Sequence, residues 1–174
     1  MGTRTLPTTR SHIGKGPQFK AIHHKPLELV SDDEGSVTLG WVDNGVFYAR
    51  FIGVLSAGLS DKHTERLEDA LTRASELHYF ADCRALSSYE IGARGAFLRM
   101  VLAHRSQFKS VVILTWSMGI TPVSRAFAAA LGEPVDVLAD ELEFESRLLT
   151  TAPLARAKLD PNGWLLPALP RSTR

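Results

Sequence analysis

The chain has 174 residues, of which 44% are hydrophobic, and a formal net charge of +1. This length fits one globular domain with tails, and the near-neutral charge gives no overall bias toward nucleic acid or membrane. The lone cysteine, Cys83, excludes an internal disulfide and a cysteine-based zinc site, and no apolar run approaches the roughly 20 residues of a membrane span. A cytoplasmic protein without a metal or another cofactor is expected.

Residues 1–35 are expected to form a flexible basic tail. Their first 25 residues mix Gly, Pro and Thr with five lysines and arginines and contain no acid. These cations are Arg4, Arg10, Lys15, Lys20 and Lys25. A solvated arm is expected rather than a nucleic-acid-binding one, because the segment has too little apolar surface to fold.

Residues 36–150 are expected to form the folded domain. The stretch "SVTLGWVDNGVFYARFIGVLS" predicts a β-hairpin with its turn at Asp43-Asn44-Gly45. The elements predicted after it are a helix at 60–77, a strand at 78–83, a helix at 91–108, a strand at 110–116, a helix at 119–134, a strand at 135–140 and a helix at 140–149. This alternation predicts a single α/β domain with a mixed, mostly parallel sheet of four to five strands and helices packed on it.

The predicted elements also carry start and stop signals. Ser60 or Asp61 can cap the first helix, and Thr121 the third. Asp140 precedes the last helix, where a glutamate three residues later suggests a capping box. Gly132 ends the third helix. The strand "SVVILTW" is apolar throughout, which is typical of an interior parallel strand.

Two adjacent serines precede the second helix. Ser87 and Glu90 have S-x-x-E spacing, which predicts that Ser87 caps this helix. A hydroxyl at a helix N-terminus would also tolerate an added phosphate, because free N–H groups point toward it. Ser87 and Ser88 are therefore candidate phospho-acceptors as well as candidate caps.

Other chemistry has weaker support. The closest approach to a G-x-S-x-G nucleophile motif, at 53–58, is one residue too long, so no catalytic residue is assigned. Asp82 is expected at the end of a strand, where it either contacts a ligand or anchors the next loop through backbone N–H groups. His104 and Cys83 are interpreted as core residues.

From Val46 to about Leu149 the chain resembles a STAS domain, the module of bacterial anti-sigma-factor antagonists. The resemblance lies in the hairpin leading into "FIGVLSAG", in "ADCRAL" before a serine-containing helix start, and in "SVVILTW" followed by "GITPVSRAFAAALGE". In that family a regulatory Ser or Thr begins the helix after the "ADCRAL"-type strand. Ser87 and Ser88 stand nearest, although Leu86 replaces the family's Asp and Tyr89 its Gly.

The resemblance implies a non-enzymatic regulatory module in bacterial signalling. It would bind a protein partner, such as an anti-sigma-type kinase or another signalling protein, and a homodimer is compatible with it. The expected binding surface comprises Arg84, Ser87, Ser88, Tyr89, Glu90 and Arg94. The alternative is a small apolar or anionic ligand, or a lipid, bound between helix and sheet, as in STAS-like relatives of CRAL-TRIO lipid binders. A hydrolase is the third candidate.

Residues 151–174 are interpreted as a Pro-rich C-terminal extension. Trp164, Leu165, Leu166 and Leu169 carry more apolar area than a solvated tail needs. Burying one such side chain contributes roughly 1.5–3 kcal/mol, so the segment is expected to pack on the domain or on a second copy. Its prolines are expected to hold it extended.

Overall fold

A computed structural model describes residues 26–117, 121–132 and 135–165. The five cations of the predicted tail, and Leu166 and Leu169, lie outside the described residues. The strands are β1 (Glu28–Ser31), β2 (Gly35–Asp43), β3 (Val46–Leu55), β4 (Leu77–Tyr89), β5 (Phe108–Leu114) and β6 (Val135–Leu138). The helices are α1 (Ala57–Arg73), α2 (Ile91–Ala103), α3 (Thr121–Leu131), α4 (Glu141–Thr151) and α5 (Ala155–Leu159). In these described ranges, no helix combines the length and apolar character needed to cross a membrane.

The six strands form one sheet in the order β1-β2-β3-β4-β5-β6. The first three strands pair antiparallel, and β3 to β6 pair in parallel. The predicted α/β class and mixed sheet are confirmed, and β5 is an interior strand with Val111 to Leu114 all buried. The sheet has six strands, whereas four to five were expected.

The additional strand, β1, lies inside the segment predicted to be a tail, so the prediction is wrong for 28–31. β1 has four residues and is largely exposed, and it therefore lacks the buried alternation that marks a strand in a sequence. Its backbone pairs with β2, with Val30 opposite Val37. Arg66 of α1 also binds the carboxylate of Glu28, with Nε 3.0 Å from Oε2.

The helices cover both faces of the sheet. On one face, α1 and α2 pack against strand residues such as Phe47, Tyr79 and Val111. On the other face, α4 and α5 pack against the strand residues next to these in sequence, including Tyr48 and Phe80. Neighbouring residues of a strand point to opposite faces, so each central strand contributes to both cores.

The helix boundaries follow local capping chemistry. α1 begins earlier than predicted, because the Oγ of Ser56 accepts a hydrogen bond from the N–H of Leu59. Ser60, a predicted cap, is instead buried inside the helix. Asp140 caps α4 as predicted, whereas the Glu143 carboxylate binds Arg147 and does not complete a capping box. Gly132, with φ of 66°, follows the end of α3.

The C-terminal segment packs on the α4 and α5 face. Trp164 and Leu165 contact that core, as the apolar run predicts. The expected extended conformation is wrong at Pro161, which lies in a short 3-10 helix, Asp160–Asn162. Proline fits there because the first residues of a helix need no N–H donor.

Candidate functional site

An apolar cavity of about 110 Å³ lies between α1, α2 and the central strands. It is lined by Phe51, Leu55, His63, Tyr79, Ala81, Cys83, Leu86, Tyr89, Ala93, Arg94, Phe97, Ile113 and Ser124. Protein interiors contain few voids larger than a water molecule. An apolar cavity of about 150 Å³ is large enough to bind benzene. This cavity therefore has room for a short alkyl chain or part of a ring.

The interior of the cavity holds a buried polar pair. The Nε2 atom of His63 lies 2.8 Å from the hydroxyl oxygen of Tyr79, and both side chains are buried. Burial lowers the pKa of His63 to about 4, so its imidazole is neutral at pH 7. Burial raises the pKa of Tyr79 well above its ordinary value, so the phenol is neutral too. The interior thus offers neutral polar atoms that already bind each other.

The third polar group inside is the thiol of Cys83. Burial raises the pKa of this thiol, and the negative charge of Asp82 raises it further by a smaller amount. A thiol with a raised pKa is a poor nucleophile at neutral pH. This favours packing over catalysis. Among the described residues, no three His, Cys, Asp or Glu side chains lie together as metal ligands.

The rim of the cavity is formed by the end of β4 and the start of α2. Tyr89 is half-buried and Arg94 is exposed. Arg94 is the one arginine or lysine among the described residues that line the cavity, and it forms no ion pair within the described ranges. In the first turn of α2, the N–H groups of Ile91, Gly92 and Ala93 likewise have no acceptor among the described residues.

Ser87 and Ser88 do not lie at a helix start. They belong to β4, which continues past the predicted end at Cys83 and pairs with the end of β3, where Ser88 stands opposite Val54. The Ser87 hydroxyl donates to the carbonyl oxygen of Gly53 at 2.9 Å. Its predicted capping role is therefore wrong. Both serines are exposed, so their accessibility as phospho-acceptors is preserved although the helix dipole is not beside them.

Glu90 precedes α2 but its side chain makes no cap there. Its Oε2 atom instead accepts a hydrogen bond from the N–H of Ala57, at the start of α1, at 2.6 Å. The carboxylate therefore joins the N-termini of two neighbouring helices. Of the predicted binding surface, the structure brings Tyr89 and Arg94 together at the rim and leaves Ser87, Ser88 and Glu90 exposed beside it.

Arg84 is not part of this surface. Its side chain is 12% exposed and lies on the opposite face of the sheet, where it binds Asp82 through Nε at 2.9 Å and Nη2 at 2.7 Å. It also pairs with Glu141 and donates to the carbonyl oxygen of Trp164 at 2.9 Å. These contacts connect β4, α4 and the C-terminal segment. The side chain of Arg84 thus binds residues of its own domain and is not presented to a partner.

Asp82 lies in the middle of β4 rather than at its end, and it is fully buried. Its carboxylate accepts hydrogen bonds from Tyr48, Arg50 and the backbone N–H of Arg84. Burial raises the pKa of this carboxyl, but the hydrogen bonds and positive charge of Arg84, with the charge of Arg50, outweigh burial and lower it overall. The anchoring interpretation of Asp82 fits this geometry.

The sequence interpretation missed the interior of the cavity. His63 precedes Leu67 by one helical turn, so it shares the apolar stripe of α1 that the periodicity identified. Tyr79, Ala81 and Cys83 alternate along β4 and face the same side. Two features of the sequence could have indicated this cavity. They are a histidine on the apolar stripe of α1 and a small residue, Ala81, on the inward-facing side of β4. His104 is half-buried and binds Gln107 through Nδ1 at 2.9 Å.

Comparison with known proteins identifies the fold. The sequence matches no protein-family model, and no curated protein is significantly similar to it. The crystal structure of an uncharacterized DUF3478-family protein with a SpoIIAA-like fold, from Shewanella loihica PV-4, aligns with a TM-score of 0.53. The two chains share 21% identity, and the match covers 68% of this chain and 98% of the other. The chain therefore has a SpoIIAA-like, and hence STAS-like, fold.

Proposed function

We propose that this protein is a non-catalytic binding module whose ligand site is the cavity between α1, α2 and the sheet. The observation that carries the proposal is the cavity itself, which is open at a rim and almost wholly apolar inside. Ligand sites are typically apolar concavities with a few polar groups that fix orientation. His63 and Tyr79 inside, and Arg94 at the rim, are such groups.

The arrangement gives little support to catalysis. The cavity holds a thiol whose pKa is raised, and a neutral histidine that binds a phenol rather than a serine or cysteine. A serine nucleophile is typically activated by a base within hydrogen-bond reach, and a thiol by a lowered pKa. The Ser87 hydroxyl binds a backbone carbonyl on β3 and has no such base among the described residues. A binding role is therefore the simpler proposal.

Titration with a neutral apolar probe tests this function. We expect 1-hexanol to cause saturable shifts of the methyl NMR signals of Ala81 and Ala93. Ala81→Leu, which fills the cavity, should abolish the shift of the remaining Ala93 signal, whereas Ala85→Leu on an exposed part of the same strand should leave both shifts intact. Shifts that do not saturate, or that survive Ala81→Leu, would remove the cavity as a ligand site.

A protein partner in cytoplasmic signalling is the second candidate, and one observation favours it. Ile91 is 91% exposed at the start of α2, beside Ser88, Glu90 and Arg94. Protein interfaces combine an apolar centre with a polar rim, and Ile91 with these polar neighbours fits that arrangement. A pull-down with the full chain tests this. Ile91→Asp should lose a partner that Leu154→Asp, at an exposed leucine of similar chemistry, retains. Equal recovery by both variants would exclude this surface.

A further inference from the structure

The cavity combines an apolar interior with one cation at its rim. Phe97 and Ala93 extend from α2 toward the sheet, and Arg94, the next residue after Ala93, lines the rim from the same helical turn. Within the described part of the chain no carboxylate neutralises this guanidinium. A ligand that enters the cavity thus passes a charged group and ends among apolar ones.

We propose that the cavity binds amphipathic carboxylates, with a short alkyl chain beside Tyr79, Ala81 and Phe97 and with the carboxylate bound by Arg94. This inference rests on the proposed ligand-binding function and specifies the chemical class of the ligand. Arginine suits the role because its guanidinium can bind both oxygens of a carboxylate at once.

The interior excludes the opposite orientation. A carboxylate among Phe51, Ile113 and Tyr79 would be a buried charge without a cation, because His63 is neutral and bound to the phenol. An alkylammonium ligand meets a matching problem, since none of the described residues that line the cavity is acidic. Only a ligand with its apolar part inside and its negative charge at the rim satisfies both regions.

The start of α2 places backbone hydrogen-bond donors near the rim. The N–H groups of its first turn, which have no acceptor in the described ranges, lie on the chain between Tyr89 and Arg94. The nearest acid along the chain is Glu90, whose carboxylate is engaged by the N–H of Ala57. The helix end therefore supports an anion at Arg94 but is not itself the site.

Three probes with the same six-carbon chain test the proposal on the full-length protein. We expect hexanoate to bind about fivefold more tightly than 1-hexanol at low ionic strength, as for one exposed ion pair, and hexylammonium to bind most weakly. Dissociation constants come from NMR shifts of the Ala81 methyl group. Arg94→Gln should remove the preference for hexanoate, and Arg99→Gln, at an exposed arginine of α2 outside the cavity lining, should keep it.

The outcomes separate this inference from the function on which it rests. Equal affinity for the three probes, with saturable shifts, would overturn the carboxylate preference and leave the cavity as a ligand site. A preference that persists in Arg94→Gln would also overturn it. Absence of saturable binding for all three probes would instead contradict the ligand-binding function itself.

Discussion

The imidazole of His63 and the phenol of Tyr79 are joined by a 2.8 Å hydrogen bond in a place where neither is exposed to water. The pair connects α1 to β4 and forms the polar part of the cavity wall. Phe51 and Phe97 also contact the imidazole ring edge-on or at a tilt, with centroids 5.1 and 5.6 Å away. A protonated imidazole would have no carboxylate beside it among the described residues that line the cavity.

The first prediction concerns pH. The pKa of His63 is about 4 in the folded protein and about 6.5 when unfolded, so between these values the unfolded chain binds more protons. Stability should fall as pH decreases from about 6.5 to 4, by on the order of 3 kcal/mol in total. His78, whose pKa burial also lowers, contributes in the same direction.

Urea unfolding at pH 7.5 and pH 5 measures this effect. His63→Gln keeps a group that can bind the Tyr79 hydroxyl but does not titrate, so it should lose most of the pH dependence. His78→Gln should lose the smaller part, because His78 is half-buried. An unchanged pH dependence in His63→Gln would show that His63 is not held neutral by burial.

The second prediction concerns the buried ion pair on the opposite face. Arg84→Ala leaves Asp82 buried with less positive charge, and removing one partner of such a pair costs roughly 3–5 kcal/mol of unfolding free energy. Arg147→Ala, which breaks exposed pairs with Asp136 and Glu143, should cost about 1 kcal/mol or less. Chemical denaturation distinguishes the two, and similar losses would contradict the buried role of Arg84.

The third prediction concerns the serines. Ser56 caps α1, so Ser56→Ala should lower the unfolding free energy by about 1 kcal/mol. Ser87 makes one exposed hydrogen bond to Gly53 and caps no helix, so Ser87→Ala should cost about half of that. Thermal unfolding of both variants under one condition is sufficient. A larger loss in Ser87→Ala than in Ser56→Ala would contradict the roles assigned to the two serines.

The fourth prediction concerns the C-terminal segment. Trp164 stacks on Tyr48 with centroids 6.4 Å apart, and its ring lies 5.4 Å from the Arg50 guanidinium carbon. Trp164→Ala should therefore lower stability by on the order of 2 kcal/mol. Trp116→Ala, at a tryptophan that is 54% exposed, is the matched control and should cost less. Equal, small effects in a melting experiment would mean that the segment does not stabilise the domain.

The fold was predictable where a short stretch of sequence favours the same local structure that the folded domain contains. The Asp43-Asn44-Gly45 turn combines a hydrogen bond from the N–H of Asn44 to the Asp43 carboxylate with a glycine at φ of 65°, and the structure has this hairpin. The apolar run at 111–114 needed only its β-branched residues to indicate an interior strand. Asp140 needed only its position before an amphipathic helix. In these cases the neighbouring residues alone determine the conformation.

The remaining features depend on contacts distant in sequence. The "RALSSY" part of β4 shows no apolar alternation, and it is a strand because β3 continues beside it to Leu55. β1 likewise exists through its pairing with β2. The role of Arg84 depends on Glu141 and Trp164, which are 57 and 80 positions away by their numbers. Local sequence patterns carry no information about such distant partners. The predicted binding surface therefore included Arg84, whose side chain binds other residues of the domain.

A crystal structure of the full chain with hexanoate brominated at its terminal carbon tests the cavity most directly, because anomalous scattering locates the bromine without assumptions about the rest of the ligand. We predict a bromine peak inside the cavity, near Tyr79 and Phe97, with the carboxylate in contact with Arg94. Bromine found only on the protein surface at a saturating concentration of the ligand would contradict the assignment of this cavity as the binding site.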